Sequence, residues 1–251
     1  FYVTKEELSI TSDDISDPVH PMDNGMNKQK SAVVKHLREI LHMPFSDDFY
    51  STQKAVQQHR NIEFASNHQK ILKEITEKVE SENGQYKALI GDDVFSKWPV
   101  VDIDSWFDLN SNGFLNLGVE NDRIENVLFR VFHDELHYIR FRSVVVCAGS
   151  NNLVVNNVTE IVEGVKFLVN QIVIRQNEAK IVVCGILPRS GFEEKVKNIN
   201  NEIKAAAENE NWSFSDPGEG LLDEKTGLIN VEYFVDGINL NKKGYEKIAP
   251  I

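Results

Sequence analysis

Two adjacent carboxylates, Asp92 and Asp93, follow an apolar run, Ala88-Leu89-Ile90, and a glycine, Gly91. Such a run is expected to form a buried strand that delivers its last residues to a site. A carboxylate there can serve as nucleophile, as base or as ligand to a hard cation. Gly118 and Gly149 likewise stand at the ends of further apolar runs. The histidines are His20, His36, His42, His59, His68, His133 and His137, so none follows residue 137. His133 and His137 stand at i and i+4 in "FHDELHYIR". The glutamate is misplaced for His-Glu-x-x-His and no third ligand is evident, so a polar face is expected, with no metal and no cofactor.

The elements that must position these residues alternate. Strands are expected at 86–91, 113–118, 143–149, 180–188 and, more weakly, 212–216. Helices are expected at 124–132, 158–176, 192–210 and from 241 onward, with another long helical region over 50–82. Runs rich in Val and Ile without alternation imply strands buried on both faces. The expected class is α/β, with a central parallel five-stranded sheet between helix layers and ligands beyond the carboxyl ends of the strands. The helix at 158–176 has a broad apolar face, expected to be core with a part free for a subunit contact. Residues 1–49 read as an acidic, partly helical N-terminal extension, and 50–251 as the main domain. Within the extension, Val33, Val34, Leu37, Ile40 and Leu41 recur at helical spacing before Pro44. That apolar face is the expected interaction helix.

The formal net charge of −12 repels phosphate backbones and argues against RNA as a partner. "QQHRN" (57–61) and "NKKGY" (241–245) are small basic spots read as solvated surface. No apolar run approaches the roughly 18 residues of a membrane helix, so no membrane role is expected. Cys147 and Cys184 each end an apolar run and read as buried, reduced thiols of an intracellular protein, cytoplasmic or nuclear. A start at Phe1 instead of methionine is expected of a piece of a longer protein.

"IGDD", "NLGVEND", "AGSNN" and "FVDGINLNKKGY" fall in the order and at about the spacing of the blocks of the SGNH (GDSL-type) hydrolases. The chain resembles that superfamily over roughly residues 50–251. "VLFRV", "AGSNN" and "ILPRS" look most like the catalytic subunits of brain-type platelet-activating-factor acetylhydrolase. The resemblance implies a three-layer α/β/α, flavodoxin-like fold. In that family a serine after Gly-Asp attacks an acyl carbonyl, and a histidine oriented by an aspartate takes its proton. The serine's backbone N–H, a backbone N–H of the second block and an asparagine of the third hold the oxyanion. Carried over position by position, the nucleophile's place holds Asp93, the second-block glycine's place holds Asn121, and the histidine's place holds Asn239. Asn151 and Asp236 keep the family's residue types.

Asp93, Asn121, Asn151, Asp236 and Asn239 thus form the candidate pocket, with no catalytic residue assigned. The expectation is a pseudoenzyme that acts as a protein-interaction or scaffold module. The resemblance also implies a homodimer. One alternative is a residual esterase with aspartate at the nucleophile position. Another rests on Gly91-Asp92-Asp93, which is similar to the C-terminal domain of Oskar and would imply RNA binding.

Overall fold

The computed structural model describes residues 51–58, 64–81, 86–137 and 139–249. Val33, Val34, Leu37, Ile40 and Leu41, and the whole stretch 1–49, lie outside the described residues. The elements in chain order are α1 (Phe64–Ser81), β1 (Lys87–Gly91), α2 (Asp93–Val101), α3 (Ile103–Ser111), β2 (Phe114–Gly118) and α4 (Ile124–Phe132). There follow β3 (Ser143–Cys147), α5 (Val158–Arg175), β4 (Lys180–Cys184), α6 (Glu193–Ala207), β5 (Ser213–Ser215) and α7 (Lys242–Ile248).

The five strands form one parallel sheet in the order β2-β1-β3-β4-β5. The central strands are buried on both faces, and successive side chains enter different cores. Ala88 and Ile90 of β1 join a core with Ile75 of α1, Leu128 of α4, Leu168 of α5 and Ile199 of α6. Leu89 points the other way, into a core with Phe95 and Trp98 of α2 and Tyr245 and Ile248 of α7. That makes three layers, α/β/α. The apolar face of α5 is core, formed by Ile161, Val165, Leu168, Val169 and Ile172, while Ile174 is exposed.

Several expectations need correction. Residues 51–58 are not helical. They strap over α4 and α5 instead. The Val56 N–H donates to the Glu125 carbonyl (3.0 Å), Asn126 Nδ2 donates to the Val56 carbonyl (2.8 Å), and Thr52 Oγ1 donates to the Glu160 carbonyl (2.7 Å). Bonds to other elements replace the i→i−4 bonds a helix would need. β3 and β4 stop at Cys147 and Cys184, short of the expected ends. After β3 the chain turns at Gly149, whose φ of 120° takes it out of the ladder.

Between β1 and β2 the sequence reading assigned no helix, yet α2 and α3 lie there. Pro99 sits inside α2 and has no N–H for the Phe95 carbonyl. Asn116 Nδ2 supplies that bond from β2, at 2.6 Å. Asp102 then closes α2 through its N–H to the Trp98 carbonyl and opens α3 by accepting from Ser105. A buried aspartate thus joins two helices that a proline makes look like a loop.

Candidate active site

β1 and β3 are neighbours although β2 comes between them in sequence. Their carboxyl ends form the switch point where ligands of such sheets bind. A cleft of about 240 Å³ opens there. Asp92 is the N-cap of α2, its Oδ1 facing the Val94 N–H at 3.5 Å. Its Oδ2 accepts from Ser150 Oγ (2.7 Å) and the Ser150 N–H (3.2 Å), which ties β1 to the loop after β3. Burial, and then the charge of Asp93, push the Asp92 carboxyl up to about 7.

Asp93 is the first residue of α2. Its Oδ2 accepts from the Asn121 N–H at 3.0 Å and from Asn151 Nδ2 at 2.6 Å. These are two of the three donors that the family resemblance assigns to an oxyanion, the third being the backbone N–H at position 93 itself. The internal carboxylate occupies the place where that oxyanion would sit. Asn121 holds its N–H toward Asp93 with a left-handed backbone, φ 64°, a region asparagine tolerates better than most residues with a side chain. Asn151 Nδ2 also donates to the Asp122 carbonyl at 2.9 Å.

The other Asp93 oxygen lies 3.4 Å from Lys97 Nζ, one helical turn on. Lys97 also lies 3.4 Å from Glu120 and donates to Asn239 Oδ1 at 2.8 Å. Asn239 Nδ2 donates in turn to Asp236 Oδ2 at 2.7 Å. The Asn239 N–H, its amide and the Ile238 N–H, together with the Lys97 charge, hold Asp236 below the usual carboxylate range. A continuous chain of contacts therefore runs Asp93–Lys97–Asn239–Asp236.

Of the five residues expected from sequence, Asp93, Asn121, Asn151 and Asn239 line this cleft, and Asp236 does not but holds the Asn239 amide. Sequence reasoning missed Lys97, Arg189 and Tyr245, which also line the cleft. Lys97 is i+4 from Asp93, a helical pair, and Pro99 hid the helix. Arg189 approaches the Ser150 carbonyl at 3.4 Å, and Tyr245 donates to the Val94 carbonyl at 2.9 Å. Arg130 supports the site from below. Its fully buried guanidinium donates to the carbonyls of Gly91 and Leu117 at 2.9 Å each, and pairs with Asp122 and Glu135.

His133 and His137 lie past the end of α4, and His133 stacks on Phe129 with centroids 3.8 Å apart. Among the described residues no group of three or more His, Cys, Asp or Glu side chains is arranged to hold a metal ion. No helix among them is long and apolar enough to cross a membrane.

Comparison with known proteins places the fold. A GDSL-like lipase from Bacteroides thetaiotaomicron superposes with a TM-score of 0.59 at 16% identity, covering 71% of this chain and 93% of that one. A member of the lipolytic G-D-S-L family from Veillonella parvula gives 0.55 at 16% identity, covering 66% and 95%. The fold is that of the GDSL-type (SGNH) hydrolases. In sequence, the bovine platelet-activating factor acetylhydrolase IB subunit alpha1 is 32% identical over 140 residues. That match covers 54% of this chain and 60% of the relative, so it spans less than two thirds of the relative's length. The bovine alpha2 subunit is also 32% identical over 140 residues. No protein-family model matches the chain.

These comparisons overturn the expectation that the chain is not an enzyme. Its curated relatives carry acetylhydrolase names and its structural neighbours carry lipase names, which points to an enzyme family. The reasoning from sequence went too far because Asp93 and Asn239 speak only to serine–histidine chemistry. The groups this GDSL-type cleft offers are a carboxylate and an ammonium group, and what they do together is a separate question.

Proposed function

We propose that the cleft beyond β1 and β3 recognises a small molecule with a short apolar arm and a polar head. We further propose that it does so in a chain that works as one subunit of a protein assembly. The observation that carries the reading is the seat of Asp93. With its Oδ2 held between Asn121 and Asn151, the strongest donors of the site are satisfied internally. A ligand then meets an apolar wall of Val94, Ile186, Leu187 and Leu240, with Lys97 and Arg189 at its polar side. The word "subunit" in the relatives' names supports a protein partner, a second copy of the chain being one such arrangement. The buried, unpaired thiols Cys147 and Cys184 support a reducing, intracellular setting.

A second reading is favoured by the contact chain Asp93–Lys97–Asn239–Asp236 and by the acetylhydrolase names. It is turnover of a short acyl ester through the Asp93 carboxylate. One experiment separates the two. The chain and its Asp93→Asn variant are incubated with p-nitrophenyl acetate, and acetamide binding is followed by NMR. Saturable acetamide binding supports the first reading, whether or not the ester is turned over. Turnover that disappears in Asp93→Asn establishes the second. Neither binding nor turnover sinks both.

A further inference from the structure

Two adjoining clefts, of about 350 and 220 Å³, lie at the edge of the sheet where the strands begin, opposite the Asp93 site. Arg140 lines both, with Arg175 in one and Arg142 in the other. Lys87 and Lys180 lie nearby at strand starts but do not line the clefts, and Lys87 Nζ lies 4.6 Å from the Phe114 ring centroid. Lys87 pairs in register with Ser143, and Ser143 with Lys180, so the two lysines open strands on either side of β3. They stand about 10 Å apart, two strand spacings. Backbone bonds from Arg142 N–H to the Tyr86 carbonyl and from Lys180 N–H to the Arg142 carbonyl complete the row.

None of these five cations forms an ion pair among the described residues. The only carboxylate among the residues lining the two clefts is Glu178. That is a local excess of positive charge in a chain whose net charge is −12.

The rim is also built, not merely solvated. Arg140 Nη1 donates to the Arg175 carbonyl at 2.6 Å. Arg175 donates to the carbonyl and side chain of Gln171, and its guanidinium lies 4.3 Å from the Phe132 ring centroid. The stretch that carries Arg140 and Arg142 is braced from inside by Gln176. Its Nε2 donates to the carbonyls of Leu136 (2.8 Å) and Ile139 (2.9 Å), and its Oε1 accepts from the Phe141 N–H (3.0 Å). Tethered guanidinium groups lose little freedom when they take up an anion, and their forks match carboxylates.

We propose that this rim docks a short acidic segment of a partner protein, with aspartate or glutamate carboxylates seated on Arg140, Arg142 and Arg175. A peptide is favoured over a nucleic acid because the basic surface is short. A long phosphate backbone would run past it into the field of an acidic chain.

The test uses the full 251-residue chain and fluorescence anisotropy of a labelled octaglutamate peptide, with octathymidylate in parallel. Octaglutamate binds, and its affinity falls with added salt. The exposed double reversal Arg140→Glu with Arg142→Glu weakens it at least about tenfold. The reversal Lys242→Glu with Lys243→Glu, at cations already paired with Asp104 and Glu232, leaves it unchanged. Matching melting temperatures confirm that both variants are folded. Should the rim pair fail its fold check, Arg140→Gln replaces it and carries the same expectation of weaker binding. Absent octaglutamate binding, equal loss in the two reversals, or tighter binding of octathymidylate would overturn the proposal.

Discussion

Asp93 keeps one oxygen on two amide donors and the other beside an ammonium group, so its carboxylate is a built-in counterpart of a bound acid. Removing it should leave a vacancy of known shape. In Asp93→Ala, acetate is expected to bind with about millimolar affinity, while the parent chain shows no such site. NMR titration with labelled acetate checks this, and equal shifts in both proteins would disprove the assignment of those donors. Asp92 carries part of the pH dependence, and the buried Glu135, also pushed up to about 7 by burial, carries another part. The folded pKa of Asp92 stands above the ordinary carboxylate value near 4, at about 7. A carboxyl raised in this way contributes stability that is complete below pH 4 and lost as pH rises through 7. At about 1.4 kcal/mol per unit, the swing is up to about 4 kcal/mol. Asp92→Asn stays neutral and keeps an acceptor toward Ser150. The drop in stability between pH 5 and pH 8 should therefore shrink in that variant, as read by urea melts at the two pH values. An unchanged pH slope would place the effect elsewhere.

At the scale of elements, the site depends on how closely β1, β2 and β3 are drawn together at their carboxyl ends. A Cβ on Gly91 would lie 1.8 Å from the Cys147 carbonyl oxygen, a clash with backbone that no rotamer relieves. Gly91→Ala should cost about 3 kcal/mol and lower the melting temperature, with cleft ligands weakened in parallel. Arg130 acts on the same ends from the other core. Arg130→Met would strand Asp122 and Glu135 in the interior and is expected to cost about 3–5 kcal/mol. A chemical melt within about 1 kcal/mol of the parent would show the network to be dispensable. The limits of sequence reading are also clearest at this scale. β1 through β5 and α4 to α7 were legible because buried strands and amphipathic helices have periods of their own. α2 and α3 were not. Their register depends on Asn116 and Asp102 satisfying backbone groups that Pro99 and the helix break leave open, and such partners leave no periodic trace.

At the scale of the whole molecule, the strands point from a cationic rim at their start to a cleft of mixed charge at their end. The two sites sit at opposite edges of one sheet, so changes at one should leave the other intact. Arg140→Glu with Arg142→Glu is expected to leave acetamide affinity at the cleft unchanged within about twofold, since the five-residue strands hold the two ends about 17 Å apart, about two Debye lengths at physiological salt. A larger shift, measured by the same NMR titration, would mean that the sheet couples its two ends. The sequence alone determined the α/β class, the parallel sheet and the identities of Asp93, Asn121, Asn151 and Asn239 at the cleft. Those follow from local apolar runs and from blocks in a fixed order, which survive in one dimension. Only the tertiary structure decided that Asp93 fills the donors' seat, that Lys97 links it to Asn239, and which basic residues gather. The sequence singled out "NKKGY", whose lysines are paired with Asp104 and Glu232. The rim instead collects Arg140 and Arg142 from before β3 and Arg175 from the end of α5, because the fold brings together in space what the chain keeps apart.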